Sequence, residues 1–257
     1  RASSRARGAM ISRRRLIGGL AAMPLLGGCD RLGENAEFRG LLYAAEDAHR
    51  LLQRTITDRN ALAREYRERD MSPVFRTNGT RMPGTADYQR HLATGFADWR
   101  LIVDGLVERP LALPLAALRA LPYRTQITRH DCVEGWSAIG KWHGPPLAAL
   151  LGRARLRPEA RYIVFHCADM YGSRPYYESI DLVDAFHPQT ILAWAMNNRP
   201  LDVGHGAPVR LRVERQLGYK HAKYVMRVEA VASLDRVYGG GGGLWEDIAG
   251  YEWYAGI

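Results

Sequence analysis

Phe38, Leu41, Leu42, Ala45, Leu52, Ile56, Leu62 and Tyr66 recur at mostly helical spacings among many charges, with no proline and no glycine after Gly40. That periodicity predicts an amphipathic helix over residues 37–70, ended by Ser72-Pro73 and serving as a packing element. From Val74 the pattern changes. Short apolar, β-rich runs at Arg100–Val103, Tyr162–Phe165, Val209–Val213 and Tyr224–Val228 predict strands. Turns such as Asp104-Gly105 and Gly144-Pro145-Pro146 punctuate them. Helical stretches are expected at Leu115–Ala120, Leu147–Leu151 and Asp181–Phe186. The mixture is α+β and lacks the regular βαβ rhythm of a dinucleotide-binding fold. There is no internal repeat. The five-glycine run Gly239–Gly243 reads as a mobile loop and lacks the lysine of a phosphate loop.

A chain of 257 residues, 47% hydrophobic and 25% charged, has enough apolar material for one sizeable core. Its formal charge of +9 invites a nucleic-acid reading, but Arg1, Arg5, Arg7, Arg13, Arg14 and Arg15 all lie within residues 1–28, which hold no acid. Without those six the charge is +3, so the basicity belongs mainly to a leader and nucleic acid is not expected as a partner.

Met10 reads as the natural start, followed by Ser12-Arg13-Arg14-Arg15-Leu16-Ile17 and an uncharged apolar stretch, Leu16–Gly28, too short to span a bilayer comfortably. The paired arginines resemble the twin-arginine export signal, a route that carries folded proteins. Leu25-Leu26-Gly27-Gly28-Cys29 resembles a bacterial lipoprotein processing site, with Cys29 as the acylated residue. The expected organisation is therefore an export signal over 1–29, a helical arm over 30–73 and one domain over 74–257, in the periplasm. Of the cysteines, only Cys132 and Cys167 remain in the mature body; they make no disulfide scaffold, although one bridge between them is conceivable in an oxidising compartment. No C-x-x-C, H-E-x-x-H or Walker pattern is present, which argues against zinc and nucleotide chemistry.

The most informative stretch is Arg129-His130-Asp131-Cys132-Val133-Glu134-Gly135-Trp136-Ser137, continuing through Trp142-His143-Gly144-Pro145-Pro146-Leu147. On the residues alone, Cys132 reads equally as a buried structural thiol or as a thiolate ligand activated by Arg129 and His130. The segment resembles the molybdenum-ligand motif of the sulfite oxidase superfamily. Its C-V-E-x-W-S and W-x-G-x-P-L signatures are those of the periplasmic methionine sulfoxide reductase branch. The likeness runs from about Phe75 to Val228. It implies a sulfite oxidase-type molybdopterin-binding domain preceded by an N-terminal helix, with molybdenum-molybdopterin as cofactor and Cys132 as metal ligand and catalytic residue beside Trp136.

The same resemblance extends position by position. Phe75, Arg76 and Asn78 match the family's early cofactor-contacting segment. Cys167 stands where the reductase branch has a pterin-contacting threonine. His205 and Arg210 belong to a segment resembling N/H-G-x-P-V-R, with histidine as in the sulfite oxidases. His221, Ala222 and Lys223 match the loop that wraps the pterin phosphate. The residue types suit that role, since Arg210 offers a planar fork of donors and Lys223 a point charge.

A soft thiolate suits a high-valent molybdenum centre that also binds dithiolene sulfurs. The implied chemistry is a two-electron oxygen-atom transfer to or from a small-molecule substrate. Sulfite oxidases place arginines just after the ligand cysteine, where this chain has Trp136 and Ser137. A pocket walled by Trp136, Trp142 and one or more of Tyr171, Tyr176 and Tyr177 suits a neutral sulfoxide or N-oxide. Only about 25 residues follow Ser233, with no room for the family's dimerisation module and no haem-attachment motif. The expectation is a monomer exchanging electrons with a separate membrane haem or quinone-linked partner. The rival reading is a catalytically inactive periplasmic binding lipoprotein of the same fold.

Overall fold

The structure is a computed structural model describing residues 35–257, so the expected leader and Cys29 lie outside the described residues. The chain divides into two compact units, residues 1–56 and 57–257. In the first, a helix α1 spans Ala36–Ile56, with the Asn35 side chain accepting the Glu37 and Phe38 N–H groups at its start. The helix is shorter than the expected 37–70. It stops at the β-branched run Thr55-Ile56-Thr57, after which the Asp58 carboxylate captures the Asn60 N–H at 2.7 Å and turns the chain. Residues 61–66 then run extended along the edge of the second unit: Tyr66 N–H donates to the Ile127 carbonyl, and the Gln189 side-chain amide pairs both ways with Ala63. Leu62 and Tyr66 kept the helical spacing by coincidence.

The second unit is built on a five-stranded sheet of order β2-β1-β11-β5-β6, from β1 (Arg100–Gly105), β2 (Leu111–Pro114), β5 (Tyr162–Tyr171), β6 (Arg174–Asp181) and β11 (Val225–Val231). Only β1 and β11 run parallel. A four-stranded antiparallel sheet joins β3 (Arg124–Asp131), β4 (Ser137–Gly144), β8 (Ala195–Met196) and β9 (Arg199–Pro200), and a two-stranded ladder joins β7 (Ile191–Ala193) to β10 (Arg210–Arg212). Helices α2 (Ala86–Ala93), α3 (Leu115–Arg119), α4 (Leu147–Ala154), α5 (Leu182–Ala185) and α6 (Leu244–Ala249) lie between strands or close the chain. The expected strands and the three later helices are all present, their ends shifted by a few residues, and the fold is the expected mixture of helix and sheet.

Period-2 burial explains the main sheet: Leu101 and Val103 of β1, Ile163 and Phe165 of β5, and Val228 and Ala230 of β11 meet in the largest apolar cluster, with Leu147, Leu150 and Leu151 of α4. The β3–β4 hairpin obeys the same period with a polar inward face, and no apolar run announced it. Gln126, Thr128 and His130 of β3 are buried. They meet a buried ion pair in which Arg212 holds both oxygens of Glu214 at 2.9 and 2.6 Å. Gln126 donates to Glu214 at 2.8 Å, and Arg212 reaches His130 Nδ1 at 3.0 Å. Such a network holds a unique register only because its donors and acceptors largely pair.

The Gly239–Gly243 run is a loop folded around one carboxylate. Asp247 Oδ2 and Oδ1 accept the Gly239 and Gly241 N–H groups at 3.1 and 2.7 Å, and Tyr177 donates its hydroxyl at 2.6 Å. A Cβ on Gly239 would lie 2.5 Å from the Asp247 carboxyl carbon, so the run is glycine because the backbone must close on that acid.

Candidate functional site

The β3–β4 hairpin delivers Cys132. Asp131 pairs with Ser137 across the ladder, and the five residues between them form the tip. Cys132 N–H donates to the Trp136 carbonyl at 2.9 Å, and Gly135 N–H returns to the Cys132 carbonyl at 3.0 Å. Trp136 itself turns back to Glu134, its indole N–H 3.0 Å from Oε2. The Cys132 thiol is buried, and burial raises its pKa above the ordinary value against an opposing Asn78 amide donor 3.6 Å from Sγ. Cys132 and Cys167 are both free thiols, so the conceivable bridge between them is not formed.

Cys132 opens onto a cavity of about 330 Å³, within the usual range for small-molecule sites. It is lined by the 78–80 loop, the hairpin tip and an aromatic wall of Tyr171, Tyr176, Tyr219, Trp245 and Tyr251. The rings brace one another. Trp245 lies 5.1 Å from Tyr171 and stacks at 5.9 Å on Tyr251, which meets Tyr219 edge-on at 5.1 Å. Tyr176 fixes the wall from β6 by donating its hydroxyl to the Tyr219 carbonyl at 3.1 Å.

The floor carries charge and orphaned polar atoms. Lys223 gives its three N–H bonds to the carbonyls of Asn78, Thr80 and Gly204, clamping the loop that faces Cys132. Burial, with Arg210 nearby, lowers its pKa to about 7. Arg210 is buried behind the cavity, donating to the His205 and His221 carbonyls at 3.1 and 3.2 Å, and burial and the neighbouring Arg212 pull its pKa to about 9. Both guanidinium groups sit over the Trp142 ring, at 5.1 and 4.3 Å. His221 has one ring nitrogen on the Gln216 carbonyl at 3.0 Å and the other, Nδ1, buried without a partner. Burial and the charges of Arg212 and Arg210, with His130 adjacent, hold its pKa far below the usual range, so it is a neutral ring with an open acceptor. Asp169 Oδ1 is a second buried orphan on the cavity wall.

Of the residues expected from the sequence, Asn78, Cys132, His221 and Lys223 line the cavity, with Tyr171 and Tyr176 of the expected aromatic wall. Phe75, Trp136, His205 and Arg210 form a layer behind it. Phe75 packs edge-on against Trp142 at 5.2 Å and His205 at 5.9 Å, and its carbonyl bonds the His205 ring at 3.1 Å. The other His205 nitrogen is taken by Asp202 at 2.8 Å. Arg76 is exposed, Ala222 is buried in the core with its carbonyl on Leu211 N–H, and Cys167 packs against the main apolar cluster from β5. Trp142 and Tyr177 are core residues, not cavity wall. Trp245, Tyr251 and Asp169 were missed, while Tyr219 adjoins the expected loop of His221 and Lys223; the only hint of the first two was an aromatic-rich C-terminal segment.

Among the described residues no cluster of three or more His, Cys, Asp or Glu side chains can hold a metal. The protein offers one soft donor, Cys132, beside a cavity with buried unpaired polar atoms. That set fits a metal whose other ligands arrive with its own organic cofactor. The sequence profile of the oxidoreductase molybdopterin binding domain matches residues 89–237. The chain belongs to that family. It is a molybdenum-dependent oxidoreductase that binds molybdopterin. A curated relative in Azospira oryzae, named as a putative protein-methionine-sulfoxide reductase subunit, YedZ1, is 37% identical over 251 residues, covering 98% of this chain and 88% of the relative. The sulfane dehydrogenase SoxCD from Paracoccus pantotrophus is 26% identical with a TM-score of 0.48 over 55% of this chain, and the chain spans 41% of that protein's length. Among the described residues, no helix is long and apolar enough to cross a membrane.

Proposed function

We propose that this chain is the catalytic subunit of a periplasmic system that reduces a neutral sulfoxide by two-electron oxygen-atom transfer. The observation that carries this reading is the cavity itself: one lining holds a thiol, an aromatic wall and Lys223 committed to backbone carbonyls. Tyr171, Trp245 and Tyr251 offer ring faces to a polar, uncharged sulfoxide flanked by carbon, whereas a sulfite dianion would find no free cationic donor on that wall. The relative's name, a protein-methionine-sulfoxide reductase subunit, supports the same substrate class.

Cys132 would hold the metal through its thiolate. The backbone of the 78–80 loop, the neutral His221 ring and the Gly218–Lys223 segment would hold the pterin, with Arg210, His205 and Phe75 fixing those segments from behind. When bound, the cofactor supplies the electron-pair chemistry; the residues around it orient the substrate, exclude water and manage protons. Trp136 acts in this reading by shaping the hairpin tip through Glu134 and Phe75. The twin-arginine leader, an acylated Cys29 and a membrane haem or quinone-linked electron donor complete the account, and the word "subunit" in the relative's name agrees with a partner.

The test is turnover of the molybdenum-loaded protein with a dialkyl sulfoxide, an N-oxide and sulfite, using a reduced viologen as donor or ferricyanide as acceptor. Sulfoxide reduction at least about tenfold more efficient than sulfite oxidation is expected; the reverse order would sink the substrate reading.

A further inference from the structure

Strand β5 is irregular where it reaches the cavity. Its pairing with β6 slips between His166 and Met170, and its pairing with β11 slips between Val225 and Arg227. A bulge of this kind re-aims a side chain out of the ladder, and here the residue carried to the cavity wall is Asp169. Asp169 is 4% exposed. Thr80 draws the carboxyl's pKa down against burial, and Oδ1 has no partner at all. A buried carboxyl oxygen left open costs stability with no structural return, so its presence beside the reacting site needs a chemical reason.

We propose that Asp169 is the acid that hands a proton to the oxygen released from the substrate. This rests on the sulfoxide reading above. Reduction of a sulfoxide breaks the S–O bond and yields a sulfide and water, consuming two electrons from the haem- or quinol-type donor and two protons. Asp169 as the carboxylic acid gives one proton to the departing oxygen and is reprotonated from solvent; the second proton comes from solvent. The titratable groups facing it are Lys223 and Tyr224 ahead of β11, Tyr88 of α2, Tyr176 of β6 and Cys167 of its own strand. Burial raises its pKa to about 6 against the opposing Thr80 hydrogen bond and Lys223 charge. A donor must hold its proton, so turnover falls as pH rises through that value.

The test compares wild type, Asp169→Asn and Thr80→Val as holoenzymes, with a dialkyl sulfoxide and reduced viologen. Asp169→Asn is expected to keep its molybdenum and hold KM within about threefold, to lose about 10²-fold in kcat, and to lose the limb near pH 6. Thr80→Val removes the hydroxyl that lowers the Asp169 pKa, so the limb, read against the variant's own plateau, moves to higher pH. Infrared difference spectra should show a carboxylic-acid band in wild type that titrates in the same range, changes on reduction of the enzyme and is missing in Asp169→Asn. Wild-type kcat in Asp169→Asn, an unmoved limb in Thr80→Val, or no such band overturns the proposal. If wild type reduces no sulfoxide, the substrate reading fails and the infrared band judges Asp169 alone. If Asp169→Asn does not fold, Thr80→Val and the wild-type band still decide.

Discussion

Lys223 shows how far a residue's type is legible and where its role is not. A lysine in a phosphate-wrapping motif reads as a charge waiting for an anion, yet its three donors hold the carbonyls of Asn78, Thr80 and Gly204. Its identity was readable from the sequence; its partners, 19 to 145 residues away, were set by the fold. Lys223→Met should therefore act first on the loop. It removes charge-assisted hydrogen bonds from three carbonyls, which we expect to destabilise the protein by about 3 kcal/mol in denaturant unfolding and to lower molybdenum loading. A variant with unchanged stability and weaker cofactor binding would restore the simple phosphate-contact role. Asp169 was illegible for a different reason: nothing in Cys-Ala-Asp-Met-Tyr marks a bulge, and without the bulge it reads as one more strand residue.

Among the elements, the last helix and the segment before it matter most. Lys220, wholly buried, bridges Glu178 of β6 at 2.7 Å and Glu246 of α6 at 2.5 Å. The triad joins three pieces that line the cavity: the strand of Tyr176, the turn of Tyr219 and the helix of Trp245. Burial, partly opposed by the Lys220 charge, pushes the Glu178 pKa up; burial alone would lower that of Lys220, but the two facing acids more than offset it and raise it. Lys220→Met leaves two buried carboxyls without a cation and should cost about 3–5 kcal/mol, read as a lower denaturant midpoint; a change below about 1 kcal/mol would contradict the triad's structural role. Trp245→Ala opens the aromatic wall while keeping the triad. It should raise KM for a sulfoxide by about tenfold, with kcat changed less; an unaltered KM would remove Trp245 from the substrate wall. Strands β1, β5 and β11 of the main sheet were readable because their inward faces are apolar. The β3–β4 hairpin, which carries the ligand cysteine, was not, because its inward face is Gln126, Thr128 and His130.

At the scale of the whole molecule, the motifs brought Asn78, Cys132, His221 and Lys223 to one cavity although they lie up to 145 residues apart. Trp245 and Tyr251 of the aromatic wall came from a C-terminal segment with no motif, and helix α1 ended where side-chain hydrogen bonding overrode a continuing hydrophobic period. The account turns on the hairpin tip. If Cys132 is the protein's ligand to molybdenum, X-ray absorption of the loaded enzyme will show a sulfur shell that loses one ligand in Cys132→Ser, with sulfoxide turnover falling by at least about 10²-fold. An unchanged sulfur shell and full turnover in Cys132→Ser would contradict it.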